Sequence, residues 1–219
     1  MKKREEAAAV KPKPEIPGMT EASPARRRRF EIPKVTESKL IEARAAELAA
    51  LHGTRCPLRI ARAEGFRIYH SELGGLRGFY CRLLGFDVIC INNRLDERDE
   101  RTVAAHELGH GILHSGAEQP SLPDADLWRN TRTECEANAF AAHLLIPTDA
   151  LYERLAECGE GNGADAPEAL AAFFCCDVNL ILFKIRELRK QGMLFNLPFD
   201  PDALFLKSAS GGRKKRRGC

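Results

Sequence analysis

The sequence has no uninterrupted apolar segment approaching eighteen residues, so nothing in it predicts a membrane-spanning helix. Its first residues are mostly charged and are not followed by the apolar stretch of a secretion signal. It also contains no internal repeat. We therefore expect a cytoplasmic protein that has no contact with a membrane.

The cysteines lack any regular spacing, and no pair forms a C-x-x-C motif. The eight of them lie at positions 56, 81, 90, 135, 158, 175, 176 and 219. This usage is typical of reduced intracellular proteins and excludes a disulfide framework or a zinc ribbon. We expect all eight to be structural thiols.

The chain of 219 residues, 44% of them hydrophobic, is long enough for one domain with tails. The net charge is only +3, but basic runs lie near both ends, at Arg26–Arg29 and Arg213–Arg217. Residues 1–35 and 207–219 are predicted to be disordered tails, and residues 36–206 to form the domain. Such tails can bind nucleic acid weakly and without sequence specificity, although most runs of this kind are simply solvated.

The apolar periodicity predicts an α+β domain that is mostly helical and contains a small three-stranded sheet. The strands are expected at 66–71, 78–84 and 87–92, and a loop at 115–130. The helices are expected at 36–51, from Asp96 or Asp99 to His114, and at 131–145, 148–157, 167–175 and 178–191.

The segment from His106 to His110 has the pattern H-E-x-x-H within one of these helices. Because residues four apart lie on the same face of a helix, His106 and His110 can direct two imidazoles at one metal ion. Glu107 lies beside them and can act on a water molecule at that metal. The pattern predicts a zinc-dependent hydrolase, most simply a peptidase.

A hydrolytic zinc site needs a third protein ligand. His114 is excluded, because it lies about 12 Å along the helix from His106 and zinc–nitrogen bonds are about 2 Å long. A longer motif with a third histidine six residues after His110 is also excluded, because position 116 is glycine. We therefore expect His114 to support the site from behind or to pack against it.

The next helix offers two glutamates, Glu134 and Glu136. A glutamate from a second helix would complete a His, His, Glu site. Either glutamate also fits a helix cap, since Thr131 and Thr133 each lie three residues before one of them. Asn138 shares a face with Glu134 and can support the site through a hydrogen bond.

The chain resembles the ImmA/IrrE family of metallopeptidases. Three segments carry the resemblance: HELGH with the following Leu113 and His114, ECEANAFAA at residues 134–142, and LLIP at residues 144–147. The resemblance implies a zincin-like metallopeptidase domain with zinc held by His106, His110 and Glu134. It also implies that Glu107 is catalytic and that Glu136 is the alternative ligand or cap.

Relatives in this family imply an endopeptidase that cuts a helix-turn-helix repressor and so relieves repression in a stress or mobile-element response. The oxyanion of the reaction needs a hydrogen-bond donor, for which His114, His143 and Tyr152 are candidates. His143 departs from the family pattern, and we expect it at the surface or facing the substrate.

Other functions remain open on the residues alone. Residues 167–192 resemble a helix-turn-helix whose second helix is basic, with Lys184, Arg186, Arg189 and Lys190, so the chain could be a DNA-binding regulator. Alternatively, these helices pack on the peptidase domain. The chain could also be a zinc-binding sensor without turnover, or hold another divalent metal.

Overall fold

The computed structural model describes residues 37–114, 132–158, 166–195, 197 and 199–201. Within these residues the elements are α1 (Glu37–Leu51), α2 (Pro57–Ala63), β1 (Arg67–Ser71), β2 (Gly78–Leu83), β3 (Phe86–Asn92), α3 (Glu97–His114), α4 (Arg132–Leu145), α5 (Thr148–Cys158), α6 (Ala166–Phe174) and α7 (Val178–Lys190). The predicted α+β class, mostly helical with a small three-stranded sheet, is confirmed. The predicted tails and the loop at 115–130 lie outside the described residues.

Helix α2 is the element that the periodicity failed to predict. It has seven residues, too few for an apolar stripe to repeat, and it begins at Pro57. Proline is favourable at the first helical position, because its fixed backbone angle suits the helix and its missing N–H would have no partner there. Ile60 and Ala61 anchor the helix in the core.

The three strands lie in the order β1-β3-β2. Strand β3 pairs in parallel with β1, with Ile68 opposite Ile89, and antiparallel with β2, with Tyr80 opposite Ile89. The hairpin from β2 to β3 turns through Leu84 and Gly85, both at positive φ (51° and 81°). A two-residue turn of this kind suits the twist of the adjoining strands.

Helix α3 lies at the centre of the molecule. Its residues from Thr102 to Gly111 are all buried, and it contacts both α4 and the strands β2 and β3. Asp96 caps its first turn, since the Asp96 side chain accepts a hydrogen bond of 2.9 Å from the Asp99 backbone N–H. The helix that carries the H-E-x-x-H motif is therefore held on several sides.

Helices α4 and α7 complete the core around α3. Helix α4 is buried continuously from Ala137 to Leu145 and packs against α1, α3 and α7. Asp177 caps α7 by accepting a hydrogen bond of 2.7 Å from the backbone N–H of Asn179. Among the residues that the structure describes, no helix is both long enough and apolar enough to cross a bilayer.

Candidate metal centre

Two histidines of α3 and one glutamate of α4 converge in the core. The Nε2 atoms of His106 and His110 lie 3.0 Å apart. The Glu134 carboxylate lies 3.1 Å from Nε2 of His106 and 3.3 Å from Nε2 of His110. One ligand atom from each residue lies within 4.8 Å of the others, so the three donors can share one metal ion. Within the described part of the chain, these are the only His, Cys, Asp or Glu residues that form a group of three with metal-binding geometry.

The close approach of α3 and α4 brings these donors together. A Cβ atom at Gly109 would lie only 3.2 Å from the Cα atom of Ala137 and from the Cβ atom of Phe140. Gly109 lies between the two histidine positions of α3, so the absence of a side chain there lets α4 lie directly against the motif. A larger residue at position 109 would separate Glu134 from the imidazoles.

Asn138 sets the orientation of the His106 ring. Its Oδ1 atom lies 2.8 Å from Nδ1 of His106, and both side chains are buried. Because an amide oxygen only accepts, Nδ1 of His106 carries the proton. The other nitrogen, Nε2, faces His110 and Glu134, and it is the nitrogen that can offer a lone pair to a metal ion.

Electrostatics favour an ionised carboxylate at position 134. Burial alone would raise its pKa, but hydrogen bonds from His106 and His110 outweigh burial and lower the pKa of Glu134 to about 2. For His106 burial lowers the pKa, and the Glu134 carboxylate, the Glu107 charge and the Asn138 hydrogen bond together more than reverse this. A proton on Nε2 of His106 thus balances the Glu134 carboxylate. A cation bound by the three donors would displace this proton, so the donor set fits a divalent metal.

Glu107 lies beside the donors and is only 4% exposed. Burial raises the pKa of its carboxyl, and a hydrogen bond from the backbone N–H of Tyr80 partly opposes this rise. Strand β2 passes close to α3, because Gly78 has no side chain and a Cβ there would lie only 2.5 Å from Cγ1 of Val103. The sequence does not reveal the Tyr80 contact, because it is made by a backbone group that any residue carries.

Glu136 lies on a different side of α4 from Glu134. Its Oε2 atom is 2.8 Å from Nε2 of His114, and its Oε1 atom accepts a hydrogen bond of 2.7 Å from Nε of Arg132. Nδ1 of His114 is in turn 3.3 Å from Nδ1 of His110. His114 therefore lies behind the donors, where the sequence predicts it.

The expectation that His143 lies at the surface or faces the substrate is wrong. His143 is 4% exposed, and its Nδ1 atom lies 2.5 Å from Nζ of Lys184, which is itself fully buried. Burial lowers the pKa of both groups. The buried lysine needs a neutral acceptor, and the imidazole supplies one.

A second candidate for the oxyanion donor, His114, is also engaged elsewhere, because it bonds to Glu136. The third, Tyr152, is stacked through its ring on Phe195 with ring centroids 4.9 Å apart, which leaves its hydroxyl able to donate. Tyr152 therefore stays a candidate for the oxyanion donor.

The structure weakens the argument that residues 167–192 form a DNA-binding unit with a basic, phosphate-facing helix. Lys184 was expected on a basic, phosphate-facing side of α7, yet its ammonium group points inward to His143 and the Glu42 carboxylate. Leu180, Ile181 and Leu188 are buried in the core. The exposed residues Arg189 and Lys190 are confined to the last turn of the helix.

Two histidines from one helix and a carboxylate from the next, beside a small sheet, define a candidate metal centre of the zincin-like type. The chain belongs to the peptidase family described as the IrrE N-terminal-like domain, whose sequence profile matches residues 63–175, more than half of the chain. The match includes the entire candidate site and leaves α1 and α7 outside.

A protein of Bacillus phage phi105, described as uncharacterized immunity region protein 2, is similar to this chain. The two are 32% identical over 112 residues, which make up 49% of this chain and 69% of the phage protein. The similarity agrees with the family assignment. The name of the phage protein places that protein in an immunity region of the phage.

Proposed function

We propose that this protein is a zinc-dependent endopeptidase that cuts a specific protein, a helix-turn-helix repressor, and so relieves repression in a stress or mobile-element response. The observation that carries the proposal is the convergence of His106, His110 and Glu134 beside the buried Glu107, in a chain that belongs to a peptidase family. In this proposal the first three residues hold the metal and Glu107 is catalytic.

The donor set favours zinc. Two imidazoles and one carboxylate form the ligand set of a large class of zinc peptidases and leave a fourth position open. Asn138 holds the His106 ring with Nε2 facing the site, and Glu134 is ionised. Bound zinc would lower the pKa of a coordinated water and polarise the peptide carbonyl.

The remaining chemistry belongs to Glu107. A carboxylate oxygen of Glu107 accepts a proton from the attacking water and then transfers it to the nitrogen of the leaving amine. Burial raises the pKa of this carboxyl, which brings its proton affinity closer to what a reaction near neutral pH needs. The N–H of Tyr80 holds the carboxylate against β2 and limits its rotation.

The repressor as substrate rests on family resemblance and on the similarity to a phage immunity region protein. An enzyme that releases repression acts on one partner, so weak activity on general substrates agrees with the proposal. A helix-turn-helix repressor sought among the neighbouring genes is the first substrate to test.

The metal is tested by elemental mass spectrometry of the purified full-length chain, prepared with excess zinc. We expect about one zinc ion per wild-type chain and none in His106→Ala or Glu134→Ala. Glu136→Gln is the matched control from the same helix, and it should retain the metal. Zinc retained by Glu134→Ala and lost from Glu136→Gln would contradict the ligand assignment.

Cleavage is tested with two kinds of substrate, a proteome-derived peptide library and a helix-turn-helix repressor sought among the neighbouring genes. Mass spectrometry should detect internal cuts that a chelator abolishes and that added zinc restores. Zinc-loaded protein that cuts neither substrate would overturn the peptidase proposal and favour a zinc-binding sensor.

A further inference from the structure

A series of hydrogen-bonded side chains leads away from the candidate metal site, on the side of His110 that does not face His106 and Glu134. It begins at Nδ1 of His110, which lies 3.3 Å from Nδ1 of His114. It continues from Nε2 of His114 to Oε2 of Glu136, over 2.8 Å. Arg132 anchors its end, since its Nε donates to Oε1 of Glu136 over 2.7 Å.

The chemistry of each group determines where the protons lie along this chain. A carboxylate only accepts hydrogen bonds, so Nε2 of His114 must carry a proton and donate it to Glu136. In a neutral imidazole the other nitrogen is then an acceptor, so Nδ1 of His114 accepts from Nδ1 of His110. The remaining nitrogen of His110, Nε2, faces Glu134 and His106 and is the nitrogen that can offer a lone pair to a metal ion.

We propose that Glu136 is a positioning residue that acts through His114 to hold His110 in the tautomer and ring orientation that a metal ligand needs. The proposal rests on the proposed metal-binding role of His110. It assigns different roles to the two glutamates of α4, with Glu134 at the donors and Glu136 behind them.

Helix geometry explains why the two glutamates act at different places. Residues two apart on a helix project to nearly opposite sides, at about 100° per residue. Glu134 can therefore reach the ε nitrogens of the histidines, while Glu136 reaches the outer nitrogen of His114. The last turn of α3, which ends at His114, brings that ring within reach of α4.

The two histidine ligands are thus supported in different ways. Asn138 bonds directly to His106, whereas the support of His110 passes through a second imidazole to a carboxylate. Groups that orient metal-binding histidines typically change metal affinity about 10- to 100-fold when removed. We expect an effect of this size for Glu136.

The test measures zinc affinity of the full-length chain by competition with a chromogenic chelator. Glu136→Ala and His114→Ala should each weaken zinc binding about 10- to 100-fold, and the double variant should weaken it no further than the larger single effect. Glu136→Gln keeps an acceptor oxygen for His114 and should restore most of the affinity. Glu47→Ala is the matched control, because Glu47 is also a helix carboxylate paired with an arginine.

Long-range ¹H–¹⁵N spectra of the histidine rings give a second measurement that does not depend on activity or on zinc affinity. In wild-type protein His114 should carry its proton on Nε2 with or without zinc, and His110 should carry its proton on Nδ1 alone once zinc is bound at Nε2. In Glu136→Ala the rings should no longer show one tautomer each, whereas Glu136→Gln should keep the wild-type tautomers.

Wild-type zinc affinity in Glu136→Ala would overturn the positioning role. The role would also be overturned if Glu136→Gln failed to restore the affinity and the zinc-free variant had a lower thermal stability than zinc-free wild type. The failure of the proposed function has a different signature, since wild-type protein would then bind no zinc or cut no substrate. In that event the spectra alone decide whether the hydrogen-bond chain exists, and a different tautomer of His114 would refute it.

Discussion

Helix α4 takes part in two buried polar clusters of opposite character. The donor cluster (His106, His110 and Glu134) lies near its start, and the lysine cluster (Glu42, His143 and Lys184) lies near its end. Each contains imidazole and carboxylate groups within hydrogen-bonding range of one another. They differ in what balances the carboxylate.

The lysine cluster contains its own cation. Nζ of Lys184 is 2.5 Å from Nδ1 of His143 and 4.0 Å from the Glu42 carboxylate, and the same carboxylate accepts a hydrogen bond of 2.8 Å from Thr148. The ammonium group thus sits between an acceptor nitrogen and an anion. This cluster joins α1, α4 and α7 and needs no ligand.

The donor cluster instead directs three donor atoms at a common point. In the absence of a metal, a proton that His106 shares with Glu134 balances the carboxylate. The comparison shows that burial of histidine beside glutamate does not by itself indicate a metal site. What distinguishes the candidate metal site is three ligand atoms that converge while other groups hold the opposite ring nitrogens.

The largest difference between the donor cluster and the lysine cluster should be in peptide cleavage, when Glu107 beside the donor cluster is replaced. Glu107→Gln should reduce cleavage about 10²- to 10⁴-fold, because the amide cannot take a proton from water. Zinc content should stay at the wild-type value, as measured by elemental mass spectrometry beside the cleavage assay. Glu97→Gln, at the exposed start of the same helix, is the control and should cut normally. Cleavage by Glu107→Gln at a rate near wild type would refute the catalytic role.

A smaller effect is expected when the lysine cluster loses its anion. Glu42→Gln leaves the buried ammonium of Lys184 without a counter-charge and should destabilise the fold by about 1–3 kcal/mol, less than for a fully buried pair because Glu42 is partly exposed. Lys184→Met removes the buried charge and should destabilise the fold less than Glu42→Gln, because the anion that it leaves unpaired, Glu42, is partly exposed.

Urea unfolding of the two variants measures this difference, with Glu47→Gln as an exposed control. Cleavage by Lys184→Met should match wild type, because the lysine cluster has no part in the proposed reaction. A loss of stability in Lys184→Met as large as in Glu42→Gln would show that the ammonium group itself stabilises the helix interface.

The smallest effect is a pH dependence of stability that comes from His143. Burial and the neighbouring Lys184 charge lower its pKa in the folded state. The unfolded chain therefore binds a proton below about pH 6.5 that the folded chain refuses, so stability falls as the pH drops. The slope for this one group approaches about 1.4 kcal/mol per pH unit.

Urea unfolding of wild type and His143→Gln between pH 7 and pH 5 isolates this contribution, and the variant should show the shallower slope. Equal slopes for wild type and His143→Gln would refute the lowered pKa.

Much of the fold was predictable because it follows from short-range patterns. The apolar stripe of α1, the compact run in β3 and the cap at Asp96 are local features, and the structure shows each where it was expected. Helix α2 was missed because seven residues are too few to show a period. The parallel pairing of β1 with β3 was not predicted, because it joins strands separated by another strand in the chain.

The sequence by itself determined the spacing of His106 and His110 on one helix and placed two glutamates on the next, because helix geometry relates residues three or four apart. The tertiary structure decided which glutamate faces the imidazoles, through the contact of Gly109 with Ala137. It also turned Lys184 and His143 inward and brought the Tyr80 N–H to Glu107. These outcomes depend on which elements meet and at what distance, and local sequence patterns contain no information on either.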